Sequence, residues 1–395
     1  MENGGTKRYR YIEKLWEHDD LTRALCITGL RGSGKSTILR HFVEELRQWH
    51  VPERKIIYMD AREVEARSCD EFCSMVEAEI REDGSFIVLD SVDAVKDWDT
   101  AIYRISGDWK HRVYFAGNRL TAHDMKTKLY WKIDTLHVRP MSFLEYLDAD
   151  PRGNKAHPDW CIGRYLRSGG LPVMLADYSD ARALSVLKGI YETAVHEDLG
   201  DRVGMDRGSM DRVVEAVMGS GGPEDMRYYS DMAYVDDTSS TWSCLWALEN
   251  WHLMDHTYEH GRGMGDIFPR FRMYMEDTGI LHSVLPDMPT ELLMENAVYG
   301  ELMRRGCHVS SGSFRRREAT FITYRNGKHE AIQVIEDLDD PLRRRWALDA
   351  LERSGCEYRT LLTLENPDRD LPDSVSAWSL ADWLLEKPDN RDDWS

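Results

Sequence analysis

A glycine-rich stretch that ends in lysine and serine carries the clearest chemistry in this chain. It reads Gly29-Leu30-Arg31-Gly32-Ser33-Gly34-Lys35-Ser36, which is the GxxxxGKS pattern of a phosphate-binding loop. Glycines let backbone N–H groups approach phosphate oxygens closely, and the positive end of a following helix favours the negative charge. The loop therefore predicts binding of a nucleoside triphosphate, ATP. The predicted cofactor-binding residues are Gly29, Gly32, Ser33, Gly34, Lys35, Ser36 and Thr37.

Side chains around this loop have separate predicted roles. Lys35 is expected to reach the β- and γ-phosphates, and Ser36 is expected to coordinate Mg²⁺ through its hydroxyl. Thr37 should lie near the α-phosphate. Residues 86–90 read FIVLD, four apolar residues followed by a carboxylate, as in a Walker B strand. Asp90 is therefore the predicted partner of Ser36 in holding the metal ion.

The position after Asp90 bears on hydrolysis. Many ATPases with an extra central strand carry a glutamate there that orients the attacking water, but this chain has Ser91. Asp93 either supplies the missing carboxylate or serves as a capping or surface residue. Asn118 follows a predicted strand and is either a γ-phosphate sensor or an ordinary loop residue. The predicted catalytic residues are Lys35, Asp90 and Asn118.

The elements that must position these side chains alternate between strands and helices over the first 140 residues. Predicted strands cover residues 24–28, 55–60, 86–90, 112–116 and 136–138, and predicted helices cover residues 37–49, 69–80 and 99–105. This alternation predicts a doubly wound parallel α/β sheet of the P-loop NTPase type. We assign residues 1–150 to this nucleotide-binding domain.

The rest of the chain has a different pattern. Helical segments follow residue 140, and residues 209–218, 229–235 and 239–252, with a hairpin tip at 256–264, suit a winged helix. Later strands at 320–324, 331–335 and 358–364 alternate with helices at 291–305 and 342–354. We assign residues 151–265 to a helical and winged-helix domain and residues 266–395 to a C-terminal α/β domain.

Composition limits the classes of protein that this chain can be. It has 395 residues, a net charge of -19, seven cysteines and no run of about 18 apolar residues. These features predict a cytoplasmic protein with reduced thiols, no membrane span and little nonspecific affinity for nucleic acid. From Asn366 onward, eight acidic residues against three basic ones predict a solvated, partly loose end.

Together these residues resemble a family, the single-chain AAA-type ATPases of bacteria and archaea that end in a restriction-endonuclease-like domain of unknown function. Beside the P-loop, Pro140-Met141-Ser142-Phe143-Leu144-Glu145 looks like that family's PLSF-E motif. Gly169-Gly170-Leu171-Pro172 looks like its GG-aromatic-P turn, residues 274–279 resemble its Y-x-x-D-x-G, and Glu295-Asn296 and Gln333-Val334 match its EN and QV. The resemblance implies an AAA-type ATPase with a restriction-endonuclease-like C-terminal domain.

Three positions depart from the family pattern. Ser91 stands where the family carries glutamate, and Lys132 stands where it carries an arginine. Thr320 replaces an aspartate in a late strand, and no acidic-x-Lys pair flanks Gln333. Because a two-metal nuclease needs clustered carboxylates, the C-terminal domain is not expected to be a nuclease, and Glu295 is expected to be structural.

The charges also bear on nucleic-acid binding. Residues 221–260 contain eight acidic residues and one basic one, Arg227, although phosphate contacts require the opposite sign. Basic clusters at Arg304-Arg305, Arg315–Arg317 and Arg343–Arg345 are candidates for binding an acidic partner or a nucleic-acid backbone. For Arg343–Arg345, pairing with the neighbouring acids at 336–340 is the alternative. Three functions remain open: an ATPase, a nucleotide-dependent switch or adaptor with a protein partner, and a less favoured nucleic-acid module.

Overall fold

The structure is a computed structural model, and it describes residues 7–64, 68–107, 110–118, 120, 133–150, 155–175, 180–199, 203–261, 265–313, 318–365, 367 and 371–386. The chain divides into two compact units, Met1–Pro140 and Met141–Ser395. The boundary that we predict at residue 265, inside the second unit, stays a prediction.

The first unit is built on a sheet of five parallel strands. They are β1 (Ala24–Thr28), β2 (Ile56–Asp60), β3 (Phe86–Asp90), β4 (Arg112–Ala116) and β5 (Ile133–His137). Their order is β2-β3-β4-β1-β5, so β4 lies between the P-loop strand and the strand that ends at Asp90. The helices are α1 (Tyr9–Glu17), α2 (Lys35–Gln48), α3 (Cys69–Glu79) and α4 (Trp98–Ile105). The predicted parallel α/β sheet is confirmed.

Burial on both faces explains why the strands are continuous apolar runs. In β3, Ile87 and Leu89 belong to one hydrophobic cluster and Val88 to another. A strand between two helical layers has no face on which polar residues are favoured. Because β5 is an edge strand, it differs: Asp134 is half-buried and Thr135 is exposed. Because these two residues are polar, the apolar pattern did not indicate where the strand begins. Our prediction of a strand at residues 136–138 was therefore wrong in its bounds, since β5 spans Ile133–His137.

The second unit begins with helices. They are α5 (Phe143–Ala149), α6 (Asp159–Ser168) and α7 (Asp180–Glu192), and a π-helical turn (Thr193–Asp198) continues α7. Three further helices follow, α8 (Arg207–Met218), α9 (Met226–Met232) and α10 (Thr238–Asn250). They accompany a small antiparallel sheet in the order β6-β8-β7, formed by β6 (Glu224–Asp225), β7 (Met254–Tyr258) and β8 (Arg270–Met275). Part of the predicted hairpin tip, residues 262–264, lies outside the described residues.

The last part of the second unit contains a mixed five-stranded sheet. Its strands are β9 (His308–Ser311), β10 (Phe321–Arg325), β11 (Lys328–Val334), β12 (Tyr358–Thr363) and β13 (Ser376–Ser379), and its order is β13-β12-β11-β10-β9. β9, β10 and β11 are antiparallel, whereas β11, β12 and β13 are parallel. The accompanying helices are α11 (Thr278–Val284), α12 (Thr290–Arg304), α13 (Pro341–Arg353) and α14 (Leu380–Leu385).

The end of the described chain corrects one expectation. We predicted a solvated, partly loose segment from Asn366, but within it β13 and α14 are ordered parts of the fold. Leu380, Trp383 and Leu384 are buried, and the guanidinium of Arg305 lies 4.1 Å from the centre of the Trp383 ring. The prediction rested on the net charge of the segment, and net charge does not indicate whether its few apolar residues pack in a short helix.

Two compositional expectations can be compared with the structure. All seven cysteines are free thiols. Among the described residues, no helix is both long and apolar enough to cross a bilayer.

Candidate nucleotide-binding site

The P-loop connects β1 to α2 by a turn that requires glycine. Gly29 has φ 137°, and a Cβ there would lie 2.3 Å from the carbonyl oxygen of Val138. Gly34 precedes α2 with φ 97°, a left-handed conformation that other residues rarely adopt. The first helical residue is therefore Lys35, and the free N–H groups of the first turn face the loop. This geometry is that of an anion-binding loop.

Lys35 is folded against its own loop. Its Nζ donates hydrogen bonds to the carbonyl oxygens of Gly29 (2.8 Å) and Leu30 (3.0 Å), and the residue is only 5% exposed. Burial lowers the pKa of Lys35 to about 8, while the carboxylates of Asp93 and Asp90 partly oppose this effect. A buried ammonium held by two carbonyl groups is ready to exchange them for phosphate oxygens.

Asp90 ends β3 with an unused carboxylate oxygen. The residue is 2% exposed, and its Oδ1 accepts a hydrogen bond from Ser91 Oγ at 3.4 Å. Its Oδ2 is buried and has no hydrogen-bond partner among the described residues. A buried polar atom without a partner is costly unless a ligand satisfies it. Carboxylate and hydroxyl oxygens are the ligands that Mg²⁺ prefers, so Asp90 and Ser36 fit that ion.

Asp60 is a carboxylate that our sequence reasoning missed. It ends β2 and is the register partner of Asp90 across the parallel pair. Arg62 donates to it through Nη2 (2.7 Å) and Nε (3.1 Å). Burial raises the pKa of Asp60, but the hydrogen bonds from Arg62 and the charge of its guanidinium outweigh burial and hold the pKa below its ordinary value. The signal was present, because parallel strands that end in carboxylates place them at the same sheet edge.

Asp93 and Asn118 contact each other at the next strand end. The backbone N–H of Asn118 donates to Asp93 Oδ1 at 3.2 Å. A Cβ at Gly117 would lie 2.4 Å from the same oxygen, so only glycine fits beside this carboxylate. Asp93 therefore fixes the loop after β4 and places Asn118 at the edge that also carries Asp90. The roles of Asn118 and of the other predicted site residues stay predictions, and Lys132 lies outside the described residues.

Arg8 supports the P-loop from a distant part of the chain. Its Nη1 donates to the carbonyl oxygens of Ser33 (3.1 Å) and Arg139 (2.8 Å), and its guanidinium lies 4.5 Å from the centre of the Tyr11 ring. The arginine thereby joins the loop to the chain that follows β5. No spacing in the sequence indicated this contact, because its partners are 25 and 131 residues away.

Two contacts in the second unit involve residues of the sequence motifs. Asp277 caps α11, and its Oδ2 accepts the N–H of Gly170 at 2.8 Å, so the YMEDTG segment holds the Gly169-Gly170 turn. Glu295 forms a buried ion pair with Arg272, with Oε2 and Nη2 2.5 Å apart. Glu295 therefore neutralises a buried guanidinium, as expected of a structural residue.

On the mixed sheet, Thr320 and Gln333 form a neutral pair. The backbone N–H of Thr320 donates to Gln333 Oε1 at 3.2 Å, and that of Val334 donates to Thr320 Oγ1 at 3.1 Å. Among the described residues, no group of three metal-ligating side chains lies on this sheet. The described residues therefore offer no carboxylate cluster for a two-metal nuclease there.

Comparison with known proteins defines the first unit. Residues 21–147 match the family model described as "AAA domain". A protein of Haemophilus influenzae strain Rd, itself described only as uncharacterised, is 22% identical over 405 residues, which cover 98% of this chain and all of the relative. The matched residues include the P-loop, the Asp90 strand and all five strands of the parallel sheet. The AAA match therefore covers the parallel sheet and the P-loop of the first unit.

Solved structures show a weaker likeness. An Aeropyrum pernix Orc1 protein in complex with DNA is 14% identical with a TM-score of 0.30, covering 71% of this chain and 91% of that chain. An AMPPCP-bound DnaA from Aquifex aeolicus is 12% identical with a TM-score of 0.28, covering 61% of this chain and 86% of that chain. Scores this low do not bear on what the present chain binds.

Proposed function

We propose that this chain is a Mg²⁺-dependent ATPase of the AAA type that couples its nucleotide state to its C-terminal domains. The observation that carries the proposal is the pairing of a buried P-loop lysine with a buried aspartate whose Oδ2 has no hydrogen-bond partner among the described residues. Both features are costly in an isolated fold. ATP with Mg²⁺ satisfies both, because phosphate oxygens accept from Lys35 and the cation binds Asp90.

Each residue has one task in this proposal. Lys35 binds the β- and γ-phosphates, the N–H groups from Gly32 to Thr37 surround the phosphate chain, and Ser36 and Asp90 hold Mg²⁺. The ion, when bound, neutralises charge that develops on the phosphate oxygens. Asn118 donates its side-chain amide to the γ-phosphate. These assignments rest on the loop geometry and on the shared carboxyl edge of β1, β3 and β4.

Turnover depends on how the attacking water is oriented. Ser91 cannot act as a base at neutral pH, and its hydroxyl already donates to Asp90. Asp60 is the register partner of Asp90 on the neighbouring strand, so its carboxylate is a candidate to orient the water in place of the missing glutamate. Arg62, however, already donates hydrogen bonds to both of its oxygens. We therefore propose slow hydrolysis in the isolated chain.

Phosphate release from the purified full chain tests this proposal. We expect Mg²⁺-dependent release from the wild type and none above background from Lys35→Ala. Ser91→Glu should raise the rate, because it restores a carboxylate beside Asp90. Equal release from the wild type and from Lys35→Ala would refute hydrolysis at this site.

A second candidate is a nucleotide-dependent switch or adaptor with very slow turnover, and Ser91 favours it. This candidate predicts tight ATP binding with slow loss of the nucleotide. Single-turnover measurements separate the two functions, because a switch retains ATP for many minutes whereas an ATPase releases ADP and phosphate repeatedly. A wild-type rate that Ser91→Glu does not change would indicate that geometry, and not the missing glutamate, limits hydrolysis.

For the second unit we propose a winged helix followed by a restriction-endonuclease-like domain without nuclease activity. The order helix, short strand, two helices and two antiparallel strands between Arg207 and Met275 supports the first assignment. Three antiparallel strands, a helix and a parallel strand support the second. The acidic charge of residues 221–260 argues against nucleic acid as the partner and favours a protein. Absence of DNA and RNA binding at low ionic strength would support this view.

A further inference from the structure

An exposed aromatic surface lies on the helix where a winged helix would read DNA. Trp242 and Trp246 of α10 are 48% and 42% exposed, although the opposite side of that helix is buried. The two side chains are four residues apart and therefore lie on one face. Together they form what we call the acidic aromatic face.

The strands β7 and β8 continue this face. Tyr258, Pro269 and Phe271 line a shallow notch together with Trp242 and Trp246, so the helix and the strand pair form one surface. Large apolar side chains are seldom grouped in the open on a soluble domain unless something covers them. Tryptophan is also among the residues that contribute most to protein interfaces.

The charge around this surface indicates what covers it. Residues 221–260 carry eight acidic side chains and one basic one, and Glu224 and Glu259 pair with Arg270 of β8. Asp231, Asp236 and Asp237 stand at or before the start of α10, and no lysine or arginine occurs on that helix. A nucleic-acid backbone would be repelled, whereas a segment that combines large apolar side chains with arginines is complementary in both respects.

The same chain carries such a segment. On α13, Leu342 and Trp346 are 54% and 40% exposed and are also four residues apart. Arg343, Arg344 and Arg345 stand between them in the sequence. Arg343 forms an ion pair with Glu291 of α12, whereas Arg345 is exposed and makes no ion pair with any acid among the described residues. We call this surface the arginine helix.

The two surfaces match in spacing, and Arg343–Arg345 are opposite in charge to Asp231, Asp236 and Asp237. Each presents a pair of large side chains at positions i and i+4, and arginine guanidinium groups stack favourably on tryptophan rings. Within one copy both surfaces are exposed, so they do not cover each other. A second copy of the chain can bring them together without any change in the fold.

We propose that the acidic aromatic face of one copy binds the arginine helix of a second copy. This contact is heterologous, because each copy uses a different surface, so copies add head to tail into a ring or a short filament. The proposal is independent of ATP hydrolysis, since it uses only surfaces of the second unit.

Sedimentation of the full chain over a range of concentrations tests the proposal. We expect self-association that weakens as NaCl rises from about 0.05 to about 0.5 M, because the contact is partly ionic. Two variants each remove one surface: Trp242→Ser with Trp246→Ser, and Arg344→Glu with Arg345→Glu. Each should sediment as a monomer and retain a cooperative thermal unfolding transition. Trp160→Ser is the matched control, because Trp160 is an exposed tryptophan elsewhere in the second unit and should leave association unchanged.

Mixing the two variants gives the decisive result. The tryptophan variant keeps its arginine helix, and the arginine variant keeps its acidic aromatic face. An equimolar mixture should therefore form a one-to-one dimer that grows no further. A wild type that stays monomeric at every concentration, variants that associate as well as the wild type, or a mixture that remains monomeric would each overturn the proposal.

Discussion

Proton uptake on nucleotide binding is a direct consequence of the burial of Lys35. Burial holds the pKa of this lysine at about 8 in the free protein, where its Nζ donates to the carbonyl oxygens of Gly29 and Leu30. A bound polyphosphate places several negative charges against the ammonium and raises its pKa again. Lysines that are neutral in the free protein must then take up a proton when ATP binds.

The size of this effect follows from the pKa. With a pKa of about 8, roughly a tenth of the Lys35 side chains are neutral at pH 7, about half at pH 8 and roughly nine tenths at pH 9. ATP binding should therefore take up about 0.1, 0.5 and 0.9 protons at these three values. The pKa also determines the direction in which ATP affinity changes with pH. The affinity for ATP is highest below pH 8, and it falls up to about tenfold for each pH unit above that value.

Titration calorimetry measures the proton number directly. ATP or a non-hydrolysable analogue is titrated with Mg²⁺ in two buffers that differ in ionisation enthalpy, and the difference in apparent heat gives the protons exchanged. Lys35→Met keeps the apolar stem of the side chain and removes the titrating group, so it reports the background from the nucleotide itself. No uptake at pH 8, or the same uptake in Lys35→Met, would refute the reasoning.

Three further substitutions test the site and the second unit. Asp90→Asn should abolish the gain in ATP affinity that Mg²⁺ gives, and an unchanged gain would show that Asp90 does not hold the ion. Gly170→Ala should destabilise the second unit by about 3 kcal/mol in urea unfolding, because its Cβ would lie 2.3 Å from the Met141 carbonyl oxygen. Gly189→Ala is its control, since nothing lies within 4 Å of that Cβ and stability should not fall. Arg272→Met should cost about 3–5 kcal/mol by leaving Glu295 buried without its partner, and adding Glu295→Leu should restore most of it. A double variant as unstable as the single one would contradict that account.

Local patterns determined much of the first unit. Apolar runs of four residues located β1, β3 and β4, and their alternation with helical segments predicted the parallel sheet. The GxxxxGKS pattern located the loop, because a close approach to phosphate requires glycine at fixed positions in the chain. The edge strand β5 was less predictable, since Asp134 and Thr135 obscure the apolar signal where solvent replaces a helical layer.

Contacts between segments that are distant in the sequence were decided only by the tertiary structure. The placement of Asp60 beside Asp90 depends on strand order, and the support of the P-loop by Arg8 joins residues more than 100 positions apart. The sequence did reveal that Ser91 follows Asp90, and this one residue makes hydrolysis the open question at a well-formed loop. It could not reveal that Lys35 is buried or that Asp90 Oδ2 has no hydrogen-bond partner among the described residues, because burial is a property of packing and not of residue type.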